Sequence, residues 1–276
     1  MRIYDSQTQK RRPGSHLRLR AEPLDVQVVG YRARVDEHAA LLLAEDGSVT
    51  TERLDPGTEL SYTLGERHCA GAVDGERHVR CDNDPAPYCP EHTDIWPCAR
   101  CTGDCTKPLD TCDEEHAVYL AAFAPDTVKV GVTRSWRLET RLREQGADRG
   151  AHLRTVADGR IARQVEADIA AELGDRVRVP TKVAGLDQSV DTDWWASLCQ
   201  RYDPLVTYEF EYDLTLSDRP MAETLATGTV RGTKGRVAVL ENNGSVYAVD
   251  LRRLVGYELS DGGTDRDLQS SLGAFG

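Results

Sequence analysis

Apolar and polar positions along the chain fall into three stretches of different rhythm. Near the N-terminus the apolar runs are short, Val26-Gln27-Val28-Val29 and then Ala39-Ala40-Leu41-Leu42-Leu43, with Asp46-Gly47 marking a hairpin turn, so residues 24–64 read as strands and turns. In the middle, Ala117-Val118-Tyr119-Leu120-Ala121-Ala122-Phe123 is apolar without a break, the mark of a buried strand. Ala124-Pro125-Asp126 turns the chain into a second strand, Thr127 to Val132, which makes a hairpin. Ser135 to Gln145 predicts a helix stopped by Gly146. Asp158 to Leu173 predicts another, whose Ile161, Val165, Ile169 and Leu173 recur every four positions and form one apolar face. A strand near Arg154-Thr155-Val156 separates the two, so the order is β-β-α-β-α.

A pattern from the first stretch returns in the third. Val237 to Val246 (VAVLENNGSV) echoes Ala40 to Val49 (ALLLAEDGSV), with Gly30 upstream of one and Gly228 and Gly232 upstream of the other. Two readings fit: related small β units, half-barrels that pack together, or two hairpins alike by coincidence. Residues from Ser260 onward are rich in Gly, Ser and Asp and predict a disordered tail.

Composition changes the picture in one respect. The net charge is −12, yet the only lysines are Lys10, Lys107, Lys129, Lys182 and Lys234, and arginine carries nearly all the positive charge. This resembles proteins of a salt-adapted cytosol such as that of halophilic archaea. In molar salt the screening length falls to about 3 Å, so an acidic total does not exclude nucleic acid, although it removes the simple electrostatic argument for it. Two basic stretches stand out: residues 1–20, with Arg2, Lys10, Arg11, Arg12, Arg18 and Arg20 against Asp5, and the segment from Lys129 to Arg163. The first is a phosphate-binding arm or a solvated terminus. No apolar run is long enough to span a membrane and the first residues show no apolar leader, so a cytoplasmic protein is expected.

Seven of the eight cysteines lie between Cys69 and Cys112, in a segment rich in Gly, Pro and Asp that carries little apolar surface of its own. Zinc favours four thiolate or imidazole ligands in a tetrahedron, and it supplies folding energy where a core cannot. Two sets fit without remainder: Cys69, Cys81, Cys89 and His92, then Cys98, Cys101, Cys105 and Cys112. His68, His78 and His116 each offer a replacement ligand. Disulfides are the competing reading, disfavoured in a reducing cytosol. A site closed by four protein ligands is structural. Cys199, beside Trp194-Trp195, reads as a small buried hydrophobe.

The β-β-α segment resembles the GIY-YIG nuclease superfamily. Val118-Tyr119-Leu120 stands at its first motif and Lys129-Val130-Gly131 at its second, with Lys129 in place of a tyrosine. The helix arginine falls on Arg141, with Arg137 as a competitor, and the metal-binding glutamate falls on Glu166. The resemblance implies catalytic roles for Tyr119, Lys129, Arg141 and Glu166, with Mg²⁺ or Mn²⁺ on Glu166. Each residue alone also has an ordinary role: Tyr119 in strand packing, Lys129 on the surface, Arg141 paired with Glu144 or Glu139, and Glu166 paired with Arg163. Over nearly its whole length the chain resembles domain-of-unknown-function family 2797. The cysteine segment, Val118-Tyr119-Leu120-Ala121, Lys129-Val130-Gly131-Val132-Thr133-Arg134, Gln145-Gly146-Ala147 and Gly232-Thr233-Lys234-Gly235 carry that likeness.

Together these readings predict an α+β protein: an N-terminal β unit (1–66), a double zinc-binding, ribbon-like segment (67–114), a GIY-YIG-like α/β domain (115–185), a C-terminal β unit (186–260) and a disordered tail (261–276). The expected function is a zinc-containing protein acting on DNA or RNA, either a divalent-metal-dependent endonuclease or a non-catalytic module that binds nucleic acid or a ribonucleoprotein.

Overall fold

The computed structural model describes residues 26–35, 38–93 and 112–263. The basic N-terminal arm, the tail beyond residue 263 and the cysteines at 98, 101 and 105 lie outside the described residues. The architecture is strand-rich α+β, built on two sheets. No helix among the described residues is long and apolar enough to cross a membrane.

The larger sheet takes strands from both ends of the chain. From the first half come β1 (Val26–Val35), β2 (His38–Glu45), β3 (Ser48–Arg53), β4 (Glu59–Arg67), β5 (Ala72–Asp74) and β6 (Arg77–Val79). From the second half come β11 (Met221–Ala222), β12 (Ala226–Lys234), β13 (Val237–Asn242), β14 (Ser245–Asp250) and β15 (Tyr257–Asp261), with a short helix α5 (Leu251–Leu254) before the last. The strand order is β11-β14-β13-β12-β4-β15-β1-β2-β3-β6-β5. Its inner eight strands read alike from either end: each three-strand meander pairs its first strand with the fourth strand of the other. Thus β4 lies beside β12, β15 beside β1, and β4 and β15 pair at the centre with Leu64 opposite Leu259.

The sequence echo extends to the pairing. Ala44 opposes Val49 in one hairpin and Glu241 opposes Val246 in the other. Both turns place a residue and a following glycine at positive φ, Asp46-Gly47 and Asn243-Gly244. Each first strand shifts register at a glycine, between Val28 and Gly30 in β1 and between Val230 and Gly232 in β12. Val28, Leu41, Leu43, Val230, Ala238, Leu240 and Leu259 share one buried cluster.

The smaller sheet, ordered β10-β9-β7-β8, comes from the middle. Strands β7 (His116–Phe123) and β8 (Thr127–Arg134) form the expected hairpin, with β8 at the edge. A 3-10 turn (Ser135–Arg137) leads into α1 (Leu138–Glu144), followed by β9 (Arg149–Val156) and α2 (Gly159–Leu173). Asp158 caps α2 by accepting a 2.6 Å bond from the Arg160 amide. The apolar face of α2 departs from expectation. Ile161 is exposed, and Ala162, Val165, Ile169 and Leu173 pack on the sheet. A strict four-residue spacing drifts about 40° per step on a 3.6-residue helix, so Ile161 rotates off the stripe that Val165 and Ile169 occupy.

Two elements after Leu186 also pack here. Helix α4 (Thr192–Tyr202), capped by Asp191, sets Trp195 among Val118, Leu120 and Val130, and β10 (Val206–Glu209) pairs with β9. Between them and α2, α3 (Val179–Ala184) ties the sheets together. Its Val183, with Leu186 just beyond, packs on Val237, Val239 and Ala248 of the larger sheet, while the Asp191 amide binds the Pro125 carbonyl at the β7–β8 turn.

Candidate functional site

Two clusters carry chemistry. The first hangs below the centre of the larger sheet. The chain leaves β4 at Arg67, and Gln27 of β1 ties it down: its Nε2 donates to the Cys69 carbonyl at 3.3 Å and to the Gly256 carbonyl at 3.1 Å. A tight turn in which the amides of His92 and Thr93 both bind the Cys89 carbonyl brings Cys89 and His92 together. Cys69, Cys81, Cys89 and His92 thereby place four ligand atoms within 4.8 Å of one another.

The spacing suits zinc. Zn–S bonds of about 2.3 Å and Zn–N bonds of about 2.05 Å in a tetrahedron put sulfurs about 3.8 Å apart and sulfur and nitrogen about 3.5 Å apart. The structure has Cys81 Sγ to Cys89 Sγ at 4.0 Å, Cys69 Sγ to His92 Nδ1 at 3.5 Å and Cys89 Sγ to His92 Nδ1 at 3.3 Å. A disulfide needs about 2.05 Å, which the Cys81–Cys89 pair does not approach. Backbone amides of Gly71 and Cys89 donate to Cys69 Sγ at 3.4 and 3.2 Å, as a thiolate requires. The Asn83 side chain, hydrogen-bonded to Cys89 at 3.5 Å, leads the groups that hold that thiol down at about 6, helped by the Glu91 amide and His92. The donor set can hold one zinc ion.

The alternative histidines are otherwise engaged: His68 with Gln27, the Cys81 carbonyl and Glu258, His78 with the Ala70 carbonyl at 2.9 Å, His116 with the Glu114 carbonyl at 2.6 Å. Of the second expected set, Cys98, Cys101 and Cys105 lie outside the described residues; Cys112 lies just before β7, half-buried.

The second cluster forms at the β8 edge of the smaller sheet. Tyr119 and Gly131 are direct partners across β7 and β8. Glycine is required there, because a Cβ on Gly131 would stand 2.6 Å from both Cζ and the hydroxyl oxygen of Tyr119. The ring therefore crosses Gly131 toward the sheet edge, buried to 1% exposure, and its hydroxyl accepts a 2.5 Å bond from Gln145 Nε2 at the end of α1. Burial raises the Tyr119 hydroxyl above the ordinary phenol value, and Glu166 pushes the same way; Arg141 and the Gln145 bond pull against them. Tyr119 thus stays protonated near neutral pH.

Arg141 on α1 and Glu166 on α2 both lie within electrostatic reach of this hydroxyl and of Lys129. Arg141 also donates to Glu144 at 3.3 Å, and Arg163 donates to Glu166 at 2.7 Å. Arg137, the competing helix arginine, turns instead to Glu144 at 3.0 Å and to the Trp136 ring. The Lys129 ammonium reaches the Asp175 carbonyl at 3.3 Å. Burial and Arg141 pull it down to about 8, against Glu166 and Asp175.

Two further residues belong here that the sequence reading did not single out. Lys182 of α3 donates to the Gln145 carbonyl at 2.7 Å and lies 4.3 Å from the centre of the Phe123 ring. Burial, with repulsion from Lys129, Arg236, Arg141 and Lys234, brings it down to about 7. Gln145 itself leaves its buried Oε1 without a hydrogen-bond partner among the described residues. A signal was present: Lys129, Lys182 and Lys234 are three of only five lysines in an arginine-rich chain. Gln145 also belongs to one of the recurring motifs.

Those motifs explain how the sheets lock. At Gly146 (φ +68°) and Gly235 (φ +58°) the backbones touch: a Cβ on Gly235 would lie 2.6 Å from the Gly146 amide nitrogen, and one on Gly146 2.9 Å from the Lys234 carbonyl. Lys234 closes the junction with a 2.6 Å ion pair to Asp148.

No curated protein and no solved structure matches the chain. A family model does match, from residue 96 in the cysteine segment to residue 259 in β15. The Cys69–His92 cluster and β1 to β4 lie outside the matched span, which is shorter than the near full-length likeness expected from the motifs. The matching family is described as "Protein of unknown function (DUF2797)"; its model spans well over half of the chain, and the chain belongs to that family.

Proposed function

We propose that this protein acts on nucleic acid, holding a backbone phosphate among Tyr119, Lys129, Arg141 and Lys182 and hydrolysing it with a divalent cation held by Glu166. The observation that supports this is the Tyr119 ring crossing Gly131 to reach Gln145, which lines one groove with Arg141 and Lys182 while Glu166 lies within electrostatic reach, the grouping that the GIY-YIG resemblance calls for. Arg141, planar and permanently charged, neutralises the phosphoryl oxygens as charge builds on them. Lys129 and Lys182 add point charges, and Tyr119 points its hydroxyl at the attacking water. The buried Oε1 of Gln145 accepts a proton donor at the same spot.

Glu166 fits a hard cation: its side chain is 13% exposed, Arg163 binds Oε2, and Mg²⁺ or Mn²⁺ needs a single such carboxylate while keeping most of its waters. Bound there, such an ion supplies Lewis-acid polarisation of the phosphate. The zinc cluster, closed by four protein ligands, braces the fold.

A second reading, a module that binds nucleic acid without cutting it, is favoured by one observation. Glu166 already has a cation in Arg163, and Lys129 replaces a phenol. Labelled single- and double-stranded DNA and RNA, incubated with Mg²⁺ or Mn²⁺ in high salt, separate the readings. Cleavage by the wild type that vanishes in Glu166→Gln, with zinc content and circular dichroism unchanged, supports hydrolysis. Binding without cleavage supports the module.

A further inference from the structure

The site opens onto a groove between the two sheets that the activity proposed above does not account for. Its volume is about 930 Å³, and its walls are β1 on one side and α1 with α3 on the other, with Arg141, Gln145 and Lys182 at the end nearest Tyr119. Along it stand Arg32 and Arg34 of β1, Arg178 before α3 and Arg252 of α5. Among the described residues none of these four arginines forms an ion pair, although the chain holds 46 acidic residues against 34 basic. Glu144 and Asp250, the carboxylates lining the groove, are already engaged by Arg137 and Arg141 and by Arg236. Four guanidinium groups with no ion pair among the described residues, on so acidic a chain, call for an external polyanion.

The groove continues. Tyr31 and Arg252 also line an adjoining cavity of about 650 Å³ that reaches Glu91, His92 and Thr93 beside the zinc cluster. Charge laid along a track, rather than gathered at one point, matches phosphates in series. The larger volume lies at the upper end of the range that holds a compact ligand, room for a few nucleotides of one strand. Tyr31 presents an aromatic side chain in both cavities, where a base can stack.

We propose that this groove is the binding track of single-stranded nucleic acid, leading one strand along β1 from the zinc-braced end to the Tyr119 site, with Arg32, Arg34, Arg178 and Arg252 on its phosphates. The proposal rests on the nucleic-acid reading of the site, and it adds the strandedness of the substrate and the residues that hold it away from the reacting phosphate.

The test is fluorescence anisotropy of labelled DNA and RNA octamers, single-stranded and duplex, across a salt series. The proteins compared are wild type, Arg34→Gln/Arg178→Gln and Arg34→Lys/Arg178→Lys. Each phosphate contact to a single strand contributes about −0.7 to the slope of log K against log salt. The Gln pair is expected to flatten the slope by about 1.4 and weaken binding at least tenfold. The Lys pair restores most of both, and duplex binds more weakly than single strand. Tight binding with an unchanged slope in the Gln pair overturns the track while leaving the Tyr119 site standing. Preference for duplex overturns the strandedness. Binding that follows the arginines in a protein that never cleaves supports the track and removes the hydrolytic reading, and absence of binding to every octamer overturns both.

Discussion

A single missing side chain organises the candidate site. Gly131 lets the Tyr119 ring pass across β8 to meet Gln145, Arg141 and Glu166. Gly131→Ala is expected to cost about 1–3 kcal/mol by overpacking, read as a lowered denaturation midpoint, and to weaken oligonucleotide binding as Tyr119 is displaced. A neutral result in both would mean the ring does not depend on that gap. Lys182 gives a pH signature. Its folded value of about 7 lies below its ordinary 10.5, so between these values the unfolded chain holds a proton that the folded chain lacks. Its contribution to stability therefore rises as pH climbs from about 7 toward 10.5, and the penalty is complete below 7. Lys182→Met removes that rise: the variant gains on wild type at pH 6 and has lost more than half of that advantage by pH 9 in denaturant titrations. At this scale the sequence was partly legible. Tyr119, Lys129, Arg141 and Glu166 stood out through motif order. Lys182 did not, because it joins the site only through the docking of α3, a contact with Gln145 across 37 residues that no local pattern encodes.

Among the elements, the zinc loop and α4 make opposite cases. The Cys69, Cys81, Cys89 and His92 set was readable because ligand chemistry and tight turns constrain spacing directly, and the structure gathers the same four atoms. Helix α4 was missed although Asp191 stands as its N-cap, accepting from the amides of Asp193 and Trp194 at 2.9 Å. Only 11 residues long, it packs Trp195, Leu198, Cys199 and Tyr202 on the core, a helical spacing that was present in the sequence but short. The zinc loop bears on stability because Gln27 and Tyr88 link it to β1. His92→Ala is expected to remove one zinc per chain in metal analysis and to destabilise the protein by several kcal/mol, since binding energy at such a site is folding energy. Full zinc content in the variant would show that His92 is not a ligand.

Across the whole molecule, the two related β units read from the sequence join in one sheet by exchanging strands. Each meander gives its fourth strand to the other, so β4 and β15 hold the centre. The hairpins were legible from VAVLENNGSV and ALLLAEDGSV, since alternation and turn residues are local. The exchange was not, because it pairs Leu64 of β4 with Leu259 of β15, residues too far apart in the chain for any local pattern to show it. This exchange brings β1 and the Gly235 turn against α1, and so creates the basic groove beside the Tyr119 site.

The account rests on a phosphate lying at that site. The most direct measurement is a crystal structure of the full chain with a phosphorothioate-substituted single-stranded octamer, whose sulfur atoms mark the backbone. The account predicts a phosphate within hydrogen-bonding reach of Arg141 and the Tyr119 hydroxyl, with the strand continuing past Arg34 toward Arg252. An ordered octamer bound elsewhere, with Arg141 and Tyr119 untouched, would contradict it.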